Sequence, residues 1–271
     1  MAAGIVLVPW PNRIADARWR LDGRTQQLDI TEPASGNAIH GLLRNTAYRV
    51  AAQTEASVTL QATVFPQHGY PFRLATSVDY TLSDEGLTVT HTIVNESAAR
   101  APVAVGAHPY LKLGTVPTEE LVLTVDASTL FEVDDRAIPT AEIPLDGSDY
   151  DLRSGRVVGG LTIDHGYGSV GIRDGKSVHS LAAADGSRTE LWADENFAYV
   201  QVFTPSVFPL DDGPGHAVAI EPMTAPANAF NTGEGLRWLG PGETWTLQWG
   251  IRHRDSSAVG APGAGRNVTS R

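Results

Sequence analysis

Runs in which apolar and polar residues alternate recur along the chain, and this period of two restricts its fold more than any other feature. The clearest runs cover residues 57–64, 87–93 and 244–251. In the last of these, Trp245 and Leu247 alternate with threonine and glutamine. Successive side chains of a β-strand point to opposite faces of a sheet, so each run predicts a strand with one buried face.

Turn signals separate these runs. Asp22-Gly23 stands between residues 18–21 and 26–30, and this dipeptide is a strong signal for a short hairpin. Further turns of the same kind occur at residues 84–86, 146–147, 174–175 and 185–186. No window of a dozen residues shows the apolar periodicity of a helix. The pattern predicts an all-β fold, and specifically a large antiparallel β-sandwich.

Domain organisation follows from the lack of any linker-like change in composition along most of the chain. We expect one β-sandwich domain over residues 1–254. The segment 255–271 is rich in serine, glycine and other turn-forming residues, and it is predicted to be a disordered tail.

Charge and residue usage exclude several classes of function. The 271 residues include 20 Lys and Arg against 31 Asp and Glu, a formal charge of −11, and phosphate binding by nucleic-acid partners requires a basic surface instead. The absence of cysteine excludes disulfides, zinc–thiolate sites and thiol nucleophiles. The longest apolar stretch, residues 2–11, has neither the length of a membrane span nor the marks of a signal peptide. We therefore expect a cytoplasmic protein without a membrane partner.

Ionisable side chains stand at the ends of several predicted strands, beside glycine or proline. A rigid scaffold presents such side chains to a cleft. The candidates are His40, His108 and Glu221, with Asp164 and Arg13 in similar settings. A lone histidine within a strand, such as His91 or His179, is more often a structural hydrogen-bonding residue.

A set of short motifs decides between these candidates. In order, they are Pro9-Trp10-Pro11-Asn12-Arg13-Ile14, Ile39-His40-Gly41, Gly106-Ala107-His108-Pro109-Tyr110-Leu111, Asp164-His165, Val200-Gln201-Val202-Phe203-Thr204 and Glu221-Pro222 with Asn228-Ala229-Phe230-Asn231. Their order and spacing resemble those of the aldose 1-epimerase (galactose mutarotase) family, from about residue 9 to residue 251. The resemblance implies a large antiparallel sandwich with a sugar site in a cleft, in agreement with the period-two pattern.

The resemblance also implies a role for each residue. Glu221 matches the general base of the family, His108 the general acid, and His40 a second histidine that holds and polarises the sugar. The substrate-binding positions are Arg13, Asp164, Gln201 and Asn12. The implied partner is a small sugar, and no metal or organic cofactor is implied. For this chemistry burial should raise the pKa of the glutamate, while a neighbouring carboxylate keeps the histidine charged.

The chain departs from the family in three places, and these leave the substrate open. Few residues precede Asn12, so we expect the N-terminal strands of the family to be missing. His40 is followed by Gly41-Leu42 rather than two glycines, and the second motif reads Tyr110-Leu111-Lys112. The segment after His40 leans towards hexose-6-phosphate epimerases, for which Arg44 and Arg100 are candidate phosphate ligands.

Other classes of function also stay open, as does the oligomeric state. A non-catalytic carbohydrate-binding sandwich would keep the cleft without the reaction. A glycoside hydrolase would use Glu221 and Asp164 as paired carboxylates. A metal site would use His40, His108 and Glu221 as two histidines and one carboxylate.

Overall fold

The computed structural model describes residues 3–210 and 213–256, and β-strands dominate this part of the chain. Over these residues there are 25 strands, one short α-helix and three 3₁₀ turns. The strands are β1 (Val6–Leu7), β2 (Arg13–Ile14), β3 (Arg18–Leu21), β4 (Arg24–Gln27), β5 (Ala38–Ile39), β6 (Arg49–Gln53), β7 (Ser57–Val64), β8 (Leu74–Ser83), β9 (Gly86–Asn95), β10 (Ala101–Val103), β11 (Gly106–Ala107), β12 (Tyr110–Leu111), β13 (Val122–Thr124), β14 (Ala127–Val133), β15 (Pro139–Pro144), β16 (Arg156–Val157), β17 (Asp164–Val170), β18 (Lys176–Ala182), β19 (Arg188–Asp194), β20 (Tyr199–Phe203), β21 (Phe208–Leu210), β22 (Gly213–Gly215), β23 (Val218–Met223), β24 (Arg237–Leu239) and β25 (Thr244–Arg254). The helix α1 is Ala229–Thr232, and the 3₁₀ turns are Ala15–Ala17, Thr118–Glu120 and Val158–Gly160.

Two large antiparallel sheets carry the fold. The nine-stranded sheet has the order β16-β13-β18-β19-β25-β9-β8-β7-β6. The eight-stranded sheet has the order β1-β11-β23-β20-β17-β14-β15, with β12 also paired to β23. One hydrophobic core joins them, with Leu191 and Leu247 from the first sheet and Val202 and Ile220 from the second. The predicted all-β antiparallel sandwich is confirmed.

The predicted strands and the Asp-Gly hairpin are present. The alternating runs fall in β7, β9 and β25. In the hairpin of β3 and β4, Asp22 and Gly23 both have positive φ, at 48° and 76°, as a two-residue type I′ turn requires. The second strand begins at Arg24, which pairs directly with Leu21, and ends at Gln27. The predicted range of 26–30 was therefore placed too late, because a two-residue turn pairs the residues on either side of it.

The register of three central strands places polar side chains in one row. On β23, Val218 and Ile220 belong to the core, so Glu221 points to the other face of the sheet. Gln201 on β20 pairs with Glu221, and Gly166 on β17 pairs with Gln201. Glu221 and Gln201 therefore lie side by side on the face that points away from the core. Asp164, two residues before Gly166 on β17, lies on the same face beside Gln201.

Two short strands bring further side chains to this row. Arg13 on β2 pairs with Ile39 on β5, and the carbonyl of Asn12 accepts a hydrogen bond from the backbone N–H of His40 at 2.9 Å. The backbone N–H of Asn228 donates to the carbonyl of Arg13, which ties this pair to the segment after β23.

None of the helices in residues 3–210 and 213–256 combines the length and apolar character needed to cross a membrane. The last strand ends at Arg254. The predicted disordered tail lies, from residue 257 onward, outside the described residues.

Candidate active site

Glu221, at the β23 end of the row of polar side chains, contacts His108. His108 directly follows β11, which pairs with β23 through Gly106 and Met223. This pairing places Nε2 of His108 3.2 Å from Oε1 of Glu221. Glu221 is 2% exposed and His108 is 5% exposed. Folding therefore joins a carboxyl group and an imidazole that are distant in sequence, at a separation suited to proton transfer.

The environment of Glu221 favours its protonated form. Burial raises the pKa of the carboxyl well above its usual range, the negative charge of Asp164 raises it further, and Arg13 opposes both. Oε2 of Glu221 has no hydrogen-bond partner among the residues that the structure describes. A buried carboxyl oxygen without a partner is costly unless something binds it, so this atom is suited to contact a substrate. The raised pKa agrees with the direction expected for a base that works near neutral pH.

The two histidines of the site show the opposite shift. Burial lowers the pKa of His108 to about 4, although a backbone hydrogen bond and the charge of Asp164 raise it. Burial, His108, Arg13 and Arg44 together lower the pKa of His40 to about 3. The ring centroids of the two histidines are 5.5 Å apart. The expectation that a carboxylate keeps His108 charged is not met, because desolvation outweighs the attraction of Asp164.

A tight turn at the end of β5 sets the position of His40. His40 and Gly41 both have left-handed backbone angles, with φ of 64° and 69°. A Cβ at Gly41 would lie 2.3 Å from the carbonyl oxygen of Val8. Only glycine fits there, so the Gly41 of the predicted His-Gly motif has a steric reason.

The four predicted sugar-binding residues line one cleft. Asn12, Arg13, Asp164 and Gln201 all contribute to its wall. Nε2 of Gln201 donates a hydrogen bond to Oδ1 of Asp164 at 2.7 Å. The cleft therefore offers guanidinium and amide donors beside carboxylate and amide acceptors, a set that matches sugar hydroxyls. The structure brings all seven predicted site residues into one region.

Sequence reasoning missed Glu32. This carboxylate accepts two hydrogen bonds from Arg13, from Nε and from Nη2, each at 2.8 Å. In the sequence, Glu32 lies in a polar, turn-rich segment, which is typical of an exposed loop. Its pairing with Arg13 depends on β2 and β5 lying side by side, and no local signal could have shown it.

Aromatic residues take different places around the site. Trp10 and Phe230 are buried and pack edge to face, with centroids 5.6 Å apart. Tyr110 stacks on the ring of His108 with a centroid distance of 5.1 Å. Phe131, which the sequence did not single out, lines the cleft beside Gln201. Phe131 thus gives the cleft an apolar wall suited to a sugar ring.

The residues considered above for a metal site and for phosphate binding lie in different places in the structure. Within residues 3–210 and 213–256, no three His, Asp or Glu side chains are arranged to hold a metal ion together. Arg44 lines a recess with His40 and Glu32, next to the cleft. Arg100 instead stacks on Trp238 at 4.7 Å and lines a separate depression. Of the two candidate phosphate ligands, only Arg44 lies near the site.

Comparison with curated proteins shows relatives that share this sequence pattern. The chain is 34% identical over 250 residues to the uncharacterized protein YihR of Escherichia coli K12, covering 92% of this chain and 78% of that protein. It is 30% identical over 157 residues to the galactose mutarotase of Pongo abelii, covering 55% of this chain and 45% of the mutarotase. The match thus spans less than half the length of that mutarotase.

Solved structures with the same fold are also found. A galactose mutarotase-like protein from Clostridium acetobutylicum superposes with a TM-score of 0.82 at 22% identity, covering 93% of this chain and 79% of the other. The GalM/aldose epimerase homologue from Caenorhabditis elegans gives 0.81 at 18% identity, covering 93% and 82%. The sequence model of the aldose 1-epimerase family matches residues 1–252. The chain belongs to the aldose 1-epimerase family.

Proposed function

We propose that this protein is an aldose 1-epimerase that interconverts the α and β anomers of an aldohexose. The observation that carries the proposal is the buried Glu221–His108 pair, 3.2 Å apart. It lies beside a cleft whose wall includes Arg13, Asp164 and Gln201. An acid, a base and a hydroxyl-binding wall are what anomer exchange requires.

The reaction needs two proton transfers around the C1–O5 bond. Glu221 takes the proton of the C1 hydroxyl while His108 delivers a proton to the ring oxygen, and the bond between C1 and O5 breaks. The resulting aldehyde turns about C1–C2. Closure on the other face reverses both transfers and restores the two groups. Each well-placed acid or base contributes roughly 10²–10⁴ to the rate.

A proton transfer within the buried pair can produce both the carboxylate of Glu221 and the imidazolium of His108. Burial favours a neutral carboxyl at Glu221 and a neutral imidazole at His108. Transfer of one proton from Glu221 to His108 gives the carboxylate base and the imidazolium acid, with no proton taken from solvent. Asp164 assists, since its negative charge favours both a charged His108 and a more basic Glu221.

Orientation of the sugar falls to the wall of the cleft. Arg13 and Gln201 offer N–H donors, while Asp164 offers carboxylate oxygens to the hydroxyl groups. Asn12 and His40 complete the set on the side of β2 and β5. Holding the ring in one orientation lowers the entropic part of the barrier.

The cleft favours a neutral sugar over a sugar phosphate. Arg44 lies beside His40, but Glu32 lines the same recess, and Asp164 lines the adjoining cleft. Across the recess and the cleft a phosphate dianion would meet two carboxylates and two arginines, of which Arg13 already pairs with Glu32, and like charges repel. We therefore favour a free aldohexose over hexose 6-phosphate, the second candidate.

Polarimetry on freshly dissolved α-D-glucose and α-D-galactose tests the proposal. We expect the wild type to exceed the buffer rate and Glu221→Gln or His108→Asn to lose roughly 10²–10⁴ of the enzymatic rate. His179→Asn is the matched control, because His179 is also buried but belongs to β18 in the other sheet. If both site variants match the wild type, the acid–base assignment is wrong.

Parallel assays distinguish the proposed function from the three alternative functions. A carbohydrate-binding module would bind galactose in a calorimeter while anomer exchange stayed at the buffer rate. A phosphosugar enzyme would prefer α-glucose 6-phosphate to α-glucose, and Arg44→Gln would remove that preference. A glycoside hydrolase would release reducing ends from an aryl glycoside.

A further inference from the structure

The guanidinium of Arg13 is held along one edge by a single carboxylate. Nε and Nη2 of Arg13 donate to the two oxygens of Glu32, each at 2.8 Å. Such paired bonds fix both the position and the plane of the guanidinium. The side chain of Arg13 is 14% exposed and that of Glu32 is 24% exposed, so solvent screens this pair less than a surface pair.

This edge contact leaves the other N–H groups of Arg13 for the cleft. A guanidinium has five N–H donors, and Glu32 accepts two of them. Nη1 makes a long contact of 3.4 Å to Oδ1 of Asn12. Arg13 lines the cleft beside Asp164 and Gln201. Its remaining N–H groups are therefore available to a sugar bound in this cleft.

Glu32 is itself anchored from two sides. The hydroxyl of Ser35 donates to Oε2 of Glu32, and the backbone of Glu32 pairs with that of Asn37. Asn37 is fully buried, and its side-chain amide exchanges two hydrogen bonds of 3.0 Å with Arg136, in the turn between β14 and β15. These contacts do not involve Arg13, so the position of the Glu32 carboxylate does not depend on Arg13 alone.

Two other carboxyl groups compete for the same cation. Asp164 and Glu221 both lie near enough to act electrostatically on Arg13. Asp164 has the larger electrostatic effect of the two on Arg13, and it lines the same cleft, so without Glu32 it is the carboxylate towards which Arg13 is drawn. Arg13 would turn towards it and occupy the hydroxyl acceptor that the substrate needs.

From this arrangement we infer that Glu32 is a positioning residue for sugar binding, acting through Arg13. It holds one edge of the guanidinium away from Asp164 and so keeps both side chains available to the hydroxyl groups of the sugar. The inference rests on the proposed function for its kinetic readout, and it adds a residue that does not touch the substrate.

A double-variant cycle tests the inference on the whole chain. We expect Glu32→Gln to raise KM for galactose about tenfold to a hundredfold, the cost of a misplaced binding group, while kcat stays within about twofold. Glu32→Asp keeps the charge and should recover part of the loss. In an Arg13→Met background, Glu32→Gln should have no further effect, because its route of action is already removed.

Glu96→Gln is the matched control, since Glu96 also pairs with an arginine, Arg73, through Nε. It should leave KM unchanged. Effects of Glu32→Gln and Arg13→Met that multiply in the double variant would overturn the inference, as would a Glu32→Gln enzyme that behaves like Glu96→Gln. A loss confined to kcat would also overturn it.

Two readouts keep this test separate from the proposed function. If the wild type lacks turnover, the same cycle is measured in the dissociation constant for galactose by calorimetry. If galactose does not bind either, the NMR signal of the Arg13 Nε–H decides. We expect slow solvent exchange of that proton in the wild type and fast exchange in Glu32→Gln, and equal exchange rates would contradict the inference.

Discussion

Several residues around the cleft have a backbone conformation that most amino acids avoid. Asn12, His40 and Asn228 all have positive φ, at 53°, 64° and 64°. Asparagine tolerates this region better than most residues, whereas histidine does so at a cost. Such strain is typical of functional sites, where the surrounding structure holds it in place. Here the hydrogen bond from the backbone N–H of His40 to the carbonyl of Asn12 helps to keep both residues in this conformation.

Glu221 gives a stability prediction at the scale of one residue. Because its folded pKa is raised, the unfolded chain releases this proton near pH 4.3 while the folded chain keeps it. Stability contributed by the protonated form is therefore lost as pH rises above the unfolded value. We expect Glu221→Gln to be more stable than the wild type at pH 7, although the proposed function predicts that it loses activity.

Urea denaturation at pH 5, 6 and 7 measures this difference. The free energy of unfolding of Glu221→Gln should exceed that of the wild type by an amount that grows with pH. The growth is at most about 1.4 kcal/mol per pH unit and stops once the carboxyl of the folded wild type ionises. A constant difference across the three pH values would show that Glu221 is ionised in the folded protein. If Glu221 is the proposed base, this variant would combine greater stability with lost activity, a trade-off that is common at functional sites.

At the scale of elements, the short strands β2 and β5 matter more than their length suggests. They carry Arg13 and lead to His40, and a tight turn follows at Gly41. In that turn a Cβ would lie 2.3 Å from the carbonyl oxygen of Val8 and 2.9 Å from its nitrogen. The backbone of Val8 would have to move, and the position of His40 with it.

Gly41→Ala tests this turn against a suitable control. Gly147 also has positive φ, at 75°, but a Cβ there would meet no atom within 4 Å. We expect Gly147→Ala to lower the free energy of unfolding by about 1–2 kcal/mol, the conformational cost alone. Gly41→Ala should cost clearly more and should raise KM as well. Equal losses in chemical denaturation would mean that the contact with Val8 is relieved without cost.

The whole molecule should be sensitive to acid because several histidines are buried in their neutral form. Burial is the first cause of a lowered pKa at each of them: about 3 at His40 and about 4 at His91, His108 and His179. Unfolded histidine titrates near 6.5, so below that value the unfolded chain binds protons that the folded chain does not. Stability is present above pH 6.5 and is lost as pH falls towards 4.

A single histidine makes this prediction measurable. Nδ1 of His179 accepts a hydrogen bond from the backbone N–H of Asp126 at 3.2 Å, and the side-chain oxygen of asparagine can take the place of that atom. We expect His179→Asn to keep the bond and to reduce the slope of unfolding free energy between pH 6.5 and 4.5 by about 1.4 kcal/mol per unit. An unchanged slope in urea denaturation would show that His179 is protonated in the folded state.

The alternation of apolar and polar residues determined the strands and their buried faces, since the direction of a side chain along a strand follows from local backbone geometry. Trp245 and Leu247 faced the core as their spacing predicted. The motif resemblance also pointed to four residues that line the cleft, Asn12, Arg13, Asp164 and Gln201, because those positions keep a recognisable order along the chain.

Only the tertiary structure decided how those residues act on one another. The contact of Glu221 with His108 depends on β11 lying beside β23, and the pairing of Arg13 with Glu32 depends on how the segment after β4 folds back. Protonation states follow from the same packing, because burial is a property of the assembled sheets. That is why the lowered pKa of His108 and the pairing of Arg13 with Glu32 had no signal in the sequence.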